Sequence, residues 1–160
     1  MKITFSLNGK NIDIETPSET RLSDILKDNA RINSIHSPCN KGECRSCTVL
    51  FNGDAAASCL IPAFEARSSE IVTLEGFSKT DDYHDIMQAL EETGTSLCDL
   101  CRGGTILTIY SILERFAEPD ERQILDAFSG EICPCTNIKL IIQVVKKTAL
   151  YRRRKRFGRK

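Results

Sequence analysis

The chain has no tryptophan and only two histidines, and aromatic residues fill 6% of its 160 positions. It has no apolar run of membrane-spanning length, and its amino terminus reaches Lys10 without the hydrophobic stretch of a signal peptide. Those two absences give the cytoplasm as the expected compartment. Net charge is lacking too, since 22 basic groups balance 22 acidic ones, but the balance hides an asymmetry. The last ten residues, Tyr151 to Lys160, carry seven Lys or Arg and no acid, which leaves residues 1 to 150 with a net charge of −7. An acidic body argues against nucleic acid as the main partner. No internal repeat is present, and the basic end is the one compositionally biased segment.

What the chain has in quantity is cysteine: Cys39, Cys44, Cys47, Cys59, Cys98, Cys101, Cys133 and Cys135. Thiols therefore dominate its available chemistry. In a reducing compartment, clustered cysteines hold metal or carry out redox reactions more often than they form structural disulfides. At 160 residues and 41% hydrophobic content, the chain can bury about 70% of its unfolded surface.

Two halves differ in hydrophobic period. Ile3, Phe5 and Leu7 alternate before Asn8-Gly9, and Ile12 and Ile14 alternate after it, which predicts a hairpin. Leu22, Ile25 and Leu26 recur at helical spacing behind Thr20, the expected cap. Thr48 to Phe51, Asn52-Gly53 and Ala55 to Leu60 predict a second hairpin, and Ile71, Val72 and Leu74 a further strand. Gly76 to Asp82 reads as a linker, after which the period rises to about 3.6. Ile86, Met87 and Leu90 mark one helix, and Ile106, Leu107, Tyr110, Leu113 and Phe116 a longer one. Pro119 opens a third, with Ile124, Leu125 and Phe128, and Ile138, Ile141, Ile142 and Val145 define a fourth. The expected boundaries are 1–76, 82–150 and a basic tail over 151–160.

The first four cysteines are separated by four, two and eleven residues, and the first three match the spacing of plant-type ferredoxins. A 2Fe-2S cluster takes two thiolates per iron, and a short loop supplies three of them if its backbone curls, a freedom that Gly42 gives it. Cys59, at the far end of the second hairpin, returns to the same place. The second set pairs Cys98 and Cys101 with Cys133 and Cys135, each pair just before a predicted helix. Helix amino termini offer free N–H groups and partial positive charge to anionic sulfur, and two such ends meeting would close a site. Zinc is an alternative occupant of four-cysteine sites, although the Cys39 to Cys47 loop is atypical of it. Disulfides and a thioredoxin-like dithiol are weaker alternatives, the latter lacking its surrounding βαβ pattern. His36 and His84 read as solvated histidines, not as cluster ligands.

Cys39-Asn40-Lys41-Gly42-Glu43-Cys44-Arg45-Ser46-Cys47-Thr48-Val49-Leu50, Ser58-Cys59-Leu60-Ile61-Pro62, Thr73-Leu74-Glu75-Gly76, Cys98-Asp99-Leu100-Cys101 and Gly130-Glu131-Ile132-Cys133-Pro134-Cys135-Thr136 together resemble a known family. It is that of the iron-sulfur subunits, or segments, of xanthine dehydrogenase, aldehyde oxidase and carbon monoxide dehydrogenase. The resemblance covers roughly residues 2 to 148. It implies an α+β chain: an amino-terminal β-grasp ferredoxin-like domain holding one 2Fe-2S cluster on Cys39, Cys44, Cys47 and Cys59, then a four-helix domain holding a second on Cys98, Cys101, Cys133 and Cys135.

It also implies electron transfer from a molybdopterin-binding catalytic subunit to an FAD-binding subunit, with no catalytic residue on this chain. Gly103-Gly104 is too little to cradle the phosphates of flavin or pterin, so both cofactors are expected on partner chains. Several positions depart from the family pattern, among them Gly103, Asn137 and Ile138. Leu97 stands where a glutamine usually contacts the pterin, and Arg102 and Pro134 replace residues beside second-set cysteines. Arg45 replaces a glycine, which predicts strain or a reshaped loop. The expected consequences are a shifted potential for the second cluster and a divergent catalytic partner. Other readings are a stand-alone two-cluster carrier and a zinc-stabilised interaction protein. The basic end, Arg152 to Arg156 with Arg159 and Lys160, is expected to be a disordered solvated tail; docking to an acidic partner or anionic lipid is the alternative.

Overall fold

The computed structural model describes residues 1–130 and 135–158. Strand β1 (Lys2–Leu7) turns through Asn8 and Gly9, at φ 50° and 81°, into β2 (Lys10–Glu15). Both residues occupy the left-handed region, as a type I′ hairpin turn demands. Asn52 and Gly53, at φ 50° and 91°, repeat the device between β3 (Thr48–Phe51) and β4 (Asp54–Ala57). With β5 (Glu70–Val72) the strands form one mixed sheet in the order β2-β1-β5-β3-β4, in which β5 runs parallel to β1 and antiparallel to β3.

Helix α1 (Leu22–Asp24) runs straight into a π-helical turn, Ile25–Asn29, and Leu22, Ile25 and Leu26 are fully buried on the sheet with Ile3, Phe5, Val49 and Ile71. Thr20 is not its cap. Arg21 holds that position without a side-chain bond, because the chain here pairs with residues 61–63: Leu22 N–H donates to the Ile61 carbonyl at 2.8 Å and Ala63 N–H to that of Thr20 at 2.8 Å. The Thr20 hydroxyl accepts from Thr16 instead, at 2.9 Å.

Leu74, expected in the last strand, opens a short helix, α2 (Leu74–Phe77), and the expected linker shrinks to three residues before α3 (Asp81–Glu92). Thr80 caps α3, its hydroxyl accepting from Tyr83 N–H at 3.2 Å. Then come α4 (Asp99–Arg115), α5 (Glu121–Ala127) and α6 (Ile138–Phe157). Pro119 stands one residue before the α5 cap, where Asp120 and Gln123 form a reciprocal capping box at 2.8 and 2.9 Å.

Helix α4 is the axis of the second half. Ile106, Leu107, Ile109, Ile112 and Leu113 are all buried, in one apolar cluster that includes Leu50 of β3, Ile86 and Leu90 of α3, and Val144 and Val145 of α6. One helix thus touches the sheet and the rest of the bundle together.

The basic end is helical over residues 151–157, against the expectation of a disordered tail, and Arg159 and Lys160 lie outside the described residues. Residues 151–157 complete α6, and Arg152 bonds Asp82 at 2.7 Å and Glu114 at 2.8 Å, Arg153 bonds Glu118 at 2.9 Å, and Lys155 bonds the buried Asp85 at 2.6 Å. The acidic surface that orders it belongs to its own chain.

Candidate metal centres

The loop before β3 gathers the first cysteine set. Asn40, Gly42 and Arg45 take φ of 51°, 75° and 56°, so three left-handed residues curl the backbone within one short stretch. That curl turns N–H groups inward: Lys41 and Cys44 each donate to Cys39 Sγ at 3.4 Å, Glu43 N–H also faces Cys39, and Gly42 N–H faces Cys59. Successive N–H groups converging in this way form an anion-binding nest.

Cys59 lies in a 3₁₀ turn, Ser58–Leu60, just past β4 and not at its end as expected. Ser58 fixes the turn, its N–H and hydroxyl donating to the Cys47 carbonyl at 3.2 and 2.6 Å. Cys47 and Cys59 are buried, whereas Cys39 and Cys44 are partly exposed, and all four are free thiols. The N–H groups of Cys44 and then Lys41 hold the Cys39 thiol down to about 6, while burial, reinforced by Cys47, pushes Cys59 up to about 11. The set thus has a partly exposed edge, where N–H groups favour the Cys39 thiolate, and a buried edge, where burial opposes ionisation of Cys59. Four thiols on this loop and the adjoining turn, with N–H donors on Cys39 and Cys59, have the ligand chemistry of a 2Fe-2S cluster, whose sulfurs carry net negative charge.

Arg45 keeps its glycine-like backbone because its carbonyl is claimed twice, by Thr48 N–H at 3.1 Å and Thr48 Oγ1 at 2.5 Å. On its other side lies α4. A Cβ added to Gly104 would stand 2.5 Å from the Arg45 carbonyl oxygen, and one on Gly103 would be 3.7 Å from that of Ser34. Gly104 therefore notches α4 against the cysteine loop, and Gly103 beside it has ordinary contact distance. Glu75 ties down the segment before the loop, accepting from Ser34 N–H at 2.9 Å, Ser34 Oγ at 2.7 Å and Thr73 Oγ1 at 2.7 Å.

For the second set, Cys98 is the N-cap of α4 and Cys101 is buried in its first turn, with Cys101 and Arg102 N–H groups donating to the Cys98 carbonyl at 3.2 and 2.9 Å. Cys135 is exposed, two residues before Asn137, whose side chain caps α6 by accepting from Lys139 N–H at 2.9 Å. Thr136 Oγ1 donates to the Ser96 carbonyl at 2.6 Å, so the approaches to α4 and α6 are joined beside Cys98 and Cys135. Cys133 and Pro134 lie outside the described residues.

His36 sits in the loop half-buried, with its backbone N–H on the Ser46 carbonyl at 3.3 Å, and His84 is exposed on α3. Leu97 and Arg102 line one groove with His84 and Met87 beside the start of α4. The notch at Gly104, the Ser58 anchor, the Thr136 tie and the Glu75 clamp are missing from the sequence reading. Ser58, Glu75 and Thr136 stand in the motifs that carry the resemblance without a role being legible there, and the glycine pair shows as two helix-disfavouring residues within a helical pattern.

A model described as a 2Fe-2S iron-sulfur cluster binding domain matches residues 5–70, and one described as a [2Fe-2S] binding domain matches residues 73–146. The chain is 37% identical over 134 residues to the nicotinate dehydrogenase small FeS subunit of Eubacterium barkeri, covering 84% of this chain and 85% of that one. It is 33% identical over 152 residues to one chain of the nicotinate dehydrogenase of Pseudomonas putida, covering 95% of this chain and 97% of that one. Quinoline 2-oxidoreductase from Pseudomonas putida 86 has a chain that superimposes with a TM-score of 0.85 at 28% identity, over 96% of each. The chain belongs to the family of small iron-sulfur subunits, built from two 2Fe-2S-binding domains, that serve the xanthine dehydrogenase, aldehyde oxidase and carbon monoxide dehydrogenase class of molybdenum hydroxylases.

Proposed function

We propose that this chain relays electrons from a molybdopterin-binding catalytic subunit to an FAD-binding subunit, holding one 2Fe-2S cluster on Cys39, Cys44, Cys47 and Cys59 and another on Cys98, Cys101, Cys133 and Cys135. The clusters, when bound, supply one-electron acceptance and donation. The protein's own part is to hold two thiolate sets at a fixed separation, screen the sulfurs with N–H groups and present the sets to different partners.

The observation that carries this reading is the contact between Gly104 and the Arg45 carbonyl. It sets the helix capped by Cys98 directly on the loop that carries Cys44 and Cys47, so Cys98 and Cys101 share one packed body with the first set. Independent sites would not need that contact. The domains are assigned as 1–76 and 82–150, with 151–157 as the end of the second domain's last helix. The cytoplasm is the assigned compartment, on the ground that eight thiolate ligands need reducing surroundings. Relatives named for nicotinate and quinoline favour a nitrogen heteroaromatic as the partner's substrate.

The test is iron and acid-labile sulfide content, with electron paramagnetic resonance after stepwise reduction, on anaerobically purified protein. Two clusters per chain with two distinct reduced signals, and co-purification of flavin- and molybdenum-containing chains, are expected. Zinc in place of iron overturns the cluster assignment, and two clusters without any co-purifying chain favour the stand-alone carrier.

A further inference from the structure

Between the two domains, above the first cysteine loop, lies a cavity of about 280 Å3 lined by Arg45, Thr108, Ser111, Arg115, Gln123 and Asp126, among others. Its polar wall consists almost wholly of donors. The Arg45 Nε is buried without a hydrogen-bond partner, and among the described residues the Arg45 guanidinium makes no ion pair. Thr108 is 3% exposed, and its hydroxyl, which a mid-helix threonine normally returns to the carbonyl one turn back, has no partner either. Ser111 Oγ accepts from Ala55 N–H at 3.1 Å, which leaves its hydrogen to donate. Gln123 uses its carbonyl oxygen on Asp120 N–H, which leaves its amide NH2 to donate. Arg115 is held by Asp54 at 2.8 Å. The one lining carboxylate, Asp126, is on an exposed residue.

Leaving the buried Nε of a half-buried guanidinium unmatched is costly, and the guanidinium fork matches an oxyanion better than it matches any neutral group. A cavity of this size holds a tetrahedral oxyanion with several waters, each of about 30 Å3. We propose that the cavity binds a small tetrahedral oxyanion of the phosphate or sulfate class, through Arg45 and Thr108 with Ser111 and Gln123 completing its shell. Arg45 adjoins Cys44 in sequence, so a bound anion neutralises a positive charge beside the first cluster and lowers its reduction potential. That second effect rests on the cluster assignment above; the binding itself does not.

The experiment is a titration of the anaerobically purified full chain with inorganic phosphate at constant ionic strength, followed by phosphorus magnetic resonance, with iron content measured on the same samples. Saturable binding of one phosphate per chain is expected. Arg45→Gly, which suits the left-handed backbone and leaves the fold intact, weakens it at least about tenfold, Thr108→Val weakens it several-fold, and Asp126→Asn tightens it. A titration that does not saturate, or saturation unchanged in Arg45→Gly, overturns the site, as does saturation by acetate but not phosphate. Normal iron with no phosphate binding refutes the anion site alone, whereas phosphate binding without iron refutes the cluster assignment alone.

Discussion

Glu75 shows how one side chain can hold in place the segment that leads into a cysteine loop. Burial draws its pKa upward, but hydrogen bonds from Thr73 and Ser34 prevail and hold the carboxyl below its ordinary value near 4.5. Asn8 completes the network, its side chain meeting Thr73 at 2.9 and 3.0 Å. Because the folded pKa is depressed, the stabilisation is complete above the ordinary carboxyl range and is lost as pH falls through the folded value. Glu75→Gln is expected to cost about 1–2 kcal/mol at neutral pH in denaturant unfolding, with parent and variant converging in acid. A second substitution addresses the thiols: Cys59→Ser should remove the first cluster and halve the iron per chain while the second cluster's paramagnetic signal persists. At this scale the sequence exposed the cysteines and the glycine-like demand at position 45. Glu75 and Ser58 stand in the quoted motifs, but their roles were not legible, because their partners are 41 and 11 residues away and no spacing rule links them.

At the scale of elements, α4 joins the two halves, and its two adjacent glycines have opposite tolerances. Alanine at 104 would drive its Cβ to 2.5 Å from the Arg45 carbonyl oxygen, a backbone atom that Thr48 already holds from two directions. Either α4 or the cysteine loop must shift, so Gly104→Ala is expected to destabilise the fold by about 1–3 kcal/mol and to alter the first cluster's paramagnetic spectrum. Alanine at 103 meets nothing closer than 3.7 Å. It gains helix propensity, so Gly103→Ala should be neutral or stabilising by up to about 1 kcal/mol, with an unchanged spectrum. If both variants behave alike, the notch is not what sets the helix on the loop. The elements themselves were largely legible: the Asn-Gly turns at 8–9 and 52–53 fixed both hairpins, and Pro119 marked the approach to α5. Thr20 and Leu74 misled because the backbone is claimed by residues 61–63 in the first case and by a new helical turn in the second, neither of which local pattern records.

At the scale of the whole molecule, the charge asymmetry acquires a purpose inside the chain. The positively charged end of α6 lies along acidic groups of α3 and α4, and cations there also face the negative pole of their own helix. Composition revealed both the basic end and the acidic body, but not that one folds onto the other, because that depends on the antiparallel return of α6 along α3. Arg152 is the centre of the contact: half-buried, paired with Asp82 and Glu114, and set 5.4 Å from the centroid of the Tyr110 ring. Arg154, by contrast, is exposed. Arg152→Ala leaves two carboxylates facing one another without their shared cation, so thermal or denaturant unfolding should show a loss of about 1–3 kcal/mol. Arg154→Ala should show almost none. High salt should narrow the gap between Arg152→Ala and the parent by screening the repulsion between the remaining acids. An unscreened, equal loss in both variants would mean that the basic end stabilises the bundle only by helix length, and that its charges serve a surface beyond this chain.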